Sequence, residues 1–485
     1  MTRLYSLIQL GVRLLLRTFF RKVWVSGLEN IPSDRGGLLI SWHPNGMIDP
    51  GLIFSFFPGR IVFGARHGLF AWPGLGTIMT KLGTVPIYRG KDVKKWSVEE
   101  QREKNAESLG RMAQSITSGS FSALFPEGIS HDSPFVHSLK TGAARIYYQA
   151  RRNSGDHQPP VIIPVGLHYD RKQGFRSNVL IQFHPPIDIP AKFDRIPTPP
   201  EEKKFWDGLT QKMEDILTTV IFATESWEMH QNIHTAVGVI ASERRKRAGN
   251  KETSIPIQER VLGFSRIWLA YQQLKEEYPK KCEQLISDVQ EYREDLDSLG
   301  IDSPELDRLP KLFSKRVIAL GALQLVLYAF LLPPFVLAGY LINFPTTAMI
   351  KYLSMRFSDL YKDQASVKLF ASILFYPLTW FLWATAAYFG FIGSEVVFPS
   401  MPNSAVWAFV FVFCMGILGA VLMFTYVRAG QRTLRACRIY WKKSQRYDVW
   451  IHLREERARL YDELLKMAEG LELPGSVDPE GRLHQ

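Results

Sequence analysis

Cysteine is almost missing from this chain, with three residues in 485: Cys282, Cys414 and Cys437. So few thiols, so spaced, exclude a disulfide framework and a zinc-ligand set, and a reducing, cytosol-facing catalytic part fits best. No Ser or Cys nucleophile elbow accompanies the conspicuous histidines, which argues against a covalent enzyme intermediate. Recognition helices, basic tails and aromatic RNA-binding signatures are lacking too, so a formal charge of +12 does not point to nucleic acid. The basic residues lie beside long apolar runs, which favours an anionic membrane surface and phosphorylated substrates as partners. No cluster supports a metal, and the length leaves room for two or three domains.

What is present centres on Ser41-Trp42-His43-Pro44-Asn45-Gly46-Met47-Ile48-Asp49-Pro50. Gly37 to Ile40 is an apolar run suited to a buried strand, so His43 emerges where that strand ends. Pro44, Asn45 and Gly46 forbid its continuation, and Asp49-Pro50 reads as an N-cap followed by proline at the first helical position. A carboxylate bonded to one imidazole nitrogen fixes the tautomer and leaves the other nitrogen to take a proton. His43 and Asp49 thus read as a general base and its orienter, suited to activating an alcohol for attack on a thioester.

Short apolar runs at Arg60–Phe63, Thr84–Tyr88, Phe121–Phe125, Val161–Gly166 and Val179–Phe183 alternate with helical patterns over Lys94–Ser118 and Ser138–Arg152. This alternation predicts an α/β domain with a largely parallel sheet and its site at the strand ends. Arg89 follows one such run and suits bidentate capture of phosphate, with Gly90 letting the backbone turn away. In Phe125-Pro126-Glu127-Gly128-Ile129-Ser130 the glycine permits close backbone approach, and Glu127 can accept hydrogen bonds from acceptor hydroxyls, pair with Arg89, or serve as a turn carboxylate. Ser130 and Lys140 are further binding candidates; His131 reads as structural, because His43 already has a carboxylate in its own block. Arg66 and Arg145 divide between phosphate binding and salt bridges.

These blocks resemble the signature of the glycerolipid acyltransferase superfamily, whose usual first block is His, four residues, Asp; here five residues intervene. Gly83-Thr84-Val85-Pro86-Ile87-Tyr88-Arg89 is similar to the family's second block, Phe125 to Ser130 to its third and Val161-Ile162-Ile163-Pro164-Val165 to its fourth. The longer first spacing, Ser130-His131-Asp132 and Leu139 to Arg145 resemble the fungal-type glycerol-3-phosphate and dihydroxyacetone-phosphate acyltransferases, over roughly residues 23–200. The resemblance implies an acyltransferase domain using an acyl thioester, acyl-CoA or acyl-carrier protein, as co-substrate and no cofactor. The implied acceptor is glycerol 3-phosphate or dihydroxyacetone phosphate, with 1-acylglycerol 3-phosphate as alternative and a non-catalytic lipid-binding scaffold as a second. The catalytic pair would be His43 and Asp49. Arg89, Glu127, Gly128, Ser130 and Lys140 would bind substrate, with Pro164 bordering the acyl-chain channel, although from its sequence it reads as a core strand end.

Residues 1–22 place Arg3, Arg13, Arg17 and Arg21 on one side of a helix and Leu4, Leu7, Ile8, Val12, Leu15 and Phe19 on the other. The pattern predicts an in-plane membrane helix and equally suits one packed on the domain's own core. The acyltransferase domain is expected over 23–200, a helical linker region over 201–313, membrane segments over 314–438 and a cytosolic charged tail over 439–485, helical with Glu–Arg pairs from Ile439 to Glu469 and frayed from Pro474. Within the linker, Glu243-Arg244-Arg245-Lys246-Arg247 reads either as a headgroup contact or as solvated surface. Three apolar stretches follow, 317–344, 369–392 and 405–427. Lys and Arg flank both ends of the first and follow the third, whereas the loop between the second and third has neither. The positive-inside rule then makes the first a re-entrant hairpin broken at Pro333-Pro334, or a kinked span, and the others true spans. The expected location is an integral membrane protein with its catalytic domain on the cytosolic side, in a bacterial inner membrane or the endoplasmic reticulum.

Overall fold

The computed structural model describes residues 3–72, 74–90, 92–93, 95–155, 158–172, 174–190, 197–250, 252, 254–307, 323, 326–327, 330, 333–356, 364–397 and 405–484. The chain divides into two compact units, Met1–Ile233 with Pro256–Trp268, and His234–Ile255 with Leu269–Gln485.

In the first unit α1 (Arg3–Phe19) precedes β1 (Lys22–Ser26), β2 (Gly37–Ser41), α2 (Ile48–Phe56), β3 (Ile61–Arg66), α3 (Leu75–Lys81) and β4 (Val85–Ile87). Then come α4 (Val98–Thr117), β5 (Phe121–Leu124), α5 (Gly142–Ser154), β6 (Val161–Tyr169), β7 (Asn178–Phe183) and α6 (Glu202–Val220). The expected strands and helices are all present, and α4 starts later than expected because Ser97 and Glu100 close a capping box. The strands form a seven-stranded sheet in the order β1-β7-β6-β2-β5-β3-β4. All neighbours are parallel except β6 and β7, so β1 and β7 run against the other five. Central β2 is buried at every residue, as its continuous apolar run requires. On one face, Leu38, Ile40 and Val62 of the sheet pack with Met112 of α4, Ile146 of α5 and Leu209 and Met213 of α6.

α1 splits its surface differently from the sequence expectation. Tyr5, Gln9, Leu16 and Phe19 are buried, whereas Leu4, Leu7, Leu10 and Leu14 form a ridge that is 46–65% exposed. The docked face serves α2: Gln9 Nε2 donates to the carbonyls of Phe54 (2.9 Å) and Phe57 (3.0 Å), and Arg13 Nε to that of Ser55 (2.8 Å). These are carbonyls at the end of α2, which otherwise lack partners. A polar Gln and Arg on the docked side are what the apolar periodicity alone could not place.

Three histidines gather in this unit: His168 of β6, His184 just beyond β7, and His230 near the start of α7 (Trp227–Arg247). His168 stacks on Phe222 at 5.4 Å and His230 lies 4.8 Å from Phe264 of α8 (Ile257–Leu274). Gly166 makes room for them, since a Cβ there would stand 2.7 Å from His168 Nε2. Burial, with repulsion from the other two rings, holds His168 down to about 3; burial alone holds His184 and His230 near 4. Between about pH 6.5 and 4 the unfolded chain therefore binds protons that the folded chain refuses, so the stability these rings allow is present above 6.5 and lost as pH falls. The expected loss at pH 5 is about 2 kcal/mol per ring. Thermal melts in detergent from pH 7.5 to 5 check this, and His168→Phe should flatten the slope; a slope unchanged by that substitution contradicts it.

The second unit takes the rest of α7, then α9 (Pro279–Leu299), α10 (Pro333–Arg356), α11 (Gln364–Val397), α12 (Ala405–Gln445), α13 (Tyr447–Met467) and the strand pair β8 (Ser476–Val477) and β9 (Leu483–His484). Two sequence expectations change here. The basic run is not simply solvated surface: Arg245 is 1% exposed, Arg244 Nε donates to the Gly481 carbonyl (2.9 Å), and Arg247 pairs with Asp462 (2.8 Å). The charged tail is folded, with Trp450, Leu453 and Leu460 of α13 buried and Trp450 Nε1 donating to the Leu306 carbonyl at 3.1 Å; the β8–β9 pair replaces the expected fray. Arg457, fully buried, joins α13 to Glu243 (3.1 Å) and Asp307 (2.7 Å).

Val367–Gly393 and Ala405–Ile439, within α11 and α12, are long and apolar enough to cross a membrane. Large side chains such as Phe381 (53%), Phe389 (64%), Trp407 (72%) and Phe411 (65%) are exposed on them. The inner side is polar and small: Asn343 of α10 donates to the carbonyls of Gly339 (2.8 Å) and Gly416 (3.0 Å) and accepts from Trp380 Nε1 (2.8 Å). A Cβ on Gly339 would lie 2.4 Å from the Gly419 Cα, so α10 and α12 touch backbone to backbone. α10 is described from Pro333 and runs on past Phe344; the preceding arm, 317–332, lies almost wholly outside the described residues, and with it the expected break.

Candidate active site

The C-terminal ends of β2, β5 and β4 deliver His43, Glu127 and Arg89 within a few residues of each strand. His43 Nδ1 and Asp49 Oδ2 are 2.8 Å apart. Asp49 is in the first turn of α2 rather than its N-cap, which is Met47, so proline is at the third helical position. The carboxylate is fully buried, and its remaining capacity is filled by the Asn45 backbone N–H (2.7 Å) and by the Tyr169 hydroxyl. Burial and the adjacent Asp49 charge push the Tyr169 phenol well above its ordinary value, so it stays a donor. With a carboxylate accepting at Nδ1, the imidazole carries its proton there. Nε2 has no hydrogen-bond partner among the described residues. The ring lies flat on Phe125, with centroids 4.1 Å apart and planes at 14°.

The third block is tied to the first through the main chain, the His131 N–H donating to the His43 carbonyl at 3.1 Å. Glu127 is 2% exposed and does not pair with Arg89; its Oε1 meets His131 Nε2 (2.7 Å) and the His137 N–H (2.9 Å). Its Oε2 and the Ser130 hydroxyl are buried and unpartnered among the described residues. Gly128, at φ +70°, makes the turn that a side chain would strain. Lys140 is exposed, and its N–H holds the Pro126 carbonyl at 2.7 Å. His131 is buried against Glu127 and takes the Ser133 N–H at its Nδ1 (3.2 Å).

Arg89 Nε donates to Asp92 Oδ2 (2.8 Å) and its Nη1 faces the Gly128 carbonyl at 3.4 Å. Arg66 holds the same carboxylate with Nε (3.0 Å) and Nη2 (2.7 Å). Desolvation raises Asp92, but the bonds and charges of the two guanidinium groups outweigh it and leave the acid below its ordinary value. Asn105 and Gln101 of α4 bond the Tyr88 main chain at 2.8–2.9 Å and so fix the residue before Arg89. Arg145 stacks on Trp206 instead (5.1 Å), and Pro164 is buried mid-strand in β6 opposite Ile40. Sequence reasoning missed Tyr169, Asn45, Phe125 and Asp92. Asp92 carried a faint signal, three residues after Arg89. Tyr169, 120 residues from Asp49, carried none.

Residues 22–168 match the family model described as Acyltransferase. An uncharacterized acyltransferase of Schizosaccharomyces pombe is 27% identical over 113 residues, 23% of this chain and 17% of that protein. Glycerol-3-phosphate O-acyltransferase 2 of Saccharomyces cerevisiae is 24% identical over 186 residues, 38% of this chain and 23% of that protein. The chain thus spans less than a quarter of the length of these curated relatives. A crystal structure of the 1-acyl-sn-glycerophosphate acyltransferase PlsC from Thermotoga maritima aligns with 44% of this chain and 79% of that one, at 20% identity and a TM-score of 0.32. The likeness to the acyltransferase family thus spans the α/β domain that carries the braced histidine.

Proposed function

We propose that this chain is a membrane-held acyltransferase that moves a fatty acyl group from an acyl thioester to a hydroxyl of a small phosphorylated alcohol of the glycerol 3-phosphate type. The observation that carries this is His43, bonded to Asp49 at 2.8 Å through Nδ1 and with Nε2 unengaged. Nε2 takes the acceptor's hydroxyl proton as its oxygen attacks the thioester carbonyl; the C–S bond then breaks, and the imidazolium returns the proton to the departing thiolate. Arg89 binds the acceptor's phosphate, while Glu127 Oε2 and the Ser130 hydroxyl, both buried without partners, meet its hydroxyls. Gly128 lets the backbone approach, and Lys140 adds positive charge at the rim. α11 and α12 hold the chain in the bilayer, and the leucine ridge of α1, flanked by Arg3 and Arg17, lies in the interface on the cytosolic side.

Detergent-purified protein given labelled acyl-CoA with glycerol 3-phosphate, dihydroxyacetone phosphate or 1-acylglycerol 3-phosphate tests the function directly. Acylation of the first is expected. Arg89→Ala should raise KM for the acceptor by about 10–100-fold, the worth of a charge-assisted hydrogen bond, with KM for acyl-CoA unchanged. Equal use of unphosphorylated glycerol would rule out the phosphate role, and no transfer to any acceptor would rule out the function.

A further inference from the structure

Arg66 and His67, Tyr88 and Arg89, and Asp92 and Trp96 build two layers at the edge of the sheet. One layer is the charged triad Arg66–Asp92–Arg89. The other is a stack of rings: His67 and Tyr88 at 4.7 Å, Tyr88 and Trp96 at 4.9 Å with planes at 36°. The stack ends in an open ring, since Trp96 is 38% exposed. The two guanidinium groups sharing Asp92 are unequally placed. Arg89, 25% exposed at its side chain, turns inward to Gly128; Arg66 is 54% exposed, and its Nη1 is unengaged among the described residues. Exposed Lys95 adds a second outward cation beside Trp96.

We infer that Trp96 and Arg66 form the site for the nucleotide end of the donor, so that the thioester is an acyl-CoA and not an acyl-carrier protein. The inference rests on the acyl-transfer function proposed above. An exposed aromatic face beside cations is how proteins hold a purine base joined to phosphates: the base stacks on the ring, the phosphates meet the guanidinium and ammonium. A carrier protein offers no planar base to the Trp96 ring. Asp92, holding both arginines, divides the positive charge between an outward, donor-facing cation and an inward, acceptor-facing one.

The test is equilibrium binding to the detergent-purified full chain, which does not depend on turnover. Free CoA and adenosine 3′,5′-bisphosphate should bind and compete, each more tightly than phosphopantetheine. Trp96→Ala should weaken CoA about tenfold and leave phosphopantetheine unchanged, with Trp96→Tyr restoring most of the loss. Lys95→Gln, which removes an exposed cation that holds no other side chain among the described residues, should weaken CoA without moving the melting temperature, which keeps the inference testable if Trp96→Ala does not fold. CoA binding no better than phosphopantetheine in the wild type, or equal weakening of both ligands in the variants, overturns the site. Should CoA bind as expected while no acceptor is acylated, the nucleotide site stands and the proposed function falls.

Discussion

Replacing His43 with alanine is expected to lower kcat for acyl transfer by ~10²–10⁴-fold while the protein stays folded. The loss is chemical because the ring brings an unengaged nitrogen to the site, and Asp49, fully buried and bonded by Asn45 and Tyr169, is too committed to substitute for it. The fold should survive because the ring is 20% exposed and its main packing partner is a single face, that of Phe125. Single-turnover assays beside a thermal melt separate the two effects. Asp49→Asn sharpens the comparison: it keeps the shape but loses the acceptor that holds the proton on Nδ1, and should approach the same rate. A folded His43→Ala chain acylating acceptor at the wild-type rate would exclude the base role.

Arg457→Ala should have the largest effect on stability, about 3–5 kcal/mol, read as a lowered melting temperature of the second unit or as failure to accumulate. Its side chain is completely buried, with Nε on Glu243 (3.1 Å), Nη1 on the Ser303 carbonyl (3.0 Å) and Nη2 on Asp307 (3.0 Å). Removing it strands Glu243, itself 2% exposed, as a buried carboxylate short of one partner. Arg482→Ala is the control. That guanidinium pairs with Glu480 at 2.8 Å and Glu252 at 3.1 Å but is 35% exposed beside exposed partners, and such pairs contribute at most about 1 kcal/mol. Similar losses in both variants would mean that burial of the network does not set its worth.

The α/β domain was legible because its strands are short apolar runs closed by Gly, Pro or Asn, and because each candidate residue follows such a run. His43 and Asp49 could be paired from local spacing alone; the position of Asp49 inside α2 could not, since Met47 caps the helix without a side-chain bond. Tyr169 and Asp49 meet only because β6 lies beside β2, a neighbour relation that no window of sequence encodes. The basic run at 243–247 looked like surface because charge count carries no information about Asp462, Arg457 and the Gly481 carbonyl, all distant in sequence. α13 was legible as a charged helix, but its many Glu and Arg hide the buried stripe of Trp450, Leu453, Leu460 and Tyr461.

The main-chain bond from His131 to His43, with those from Lys140 to Pro126 and from Gly128 to Phe125, frames the reaction centre without using any of the reactive side chains. Inactivated variants should therefore keep the frame of the site, and they are the natural vehicles for trapping both substrates together, unreacted, for crystallography or cryo-microscopy.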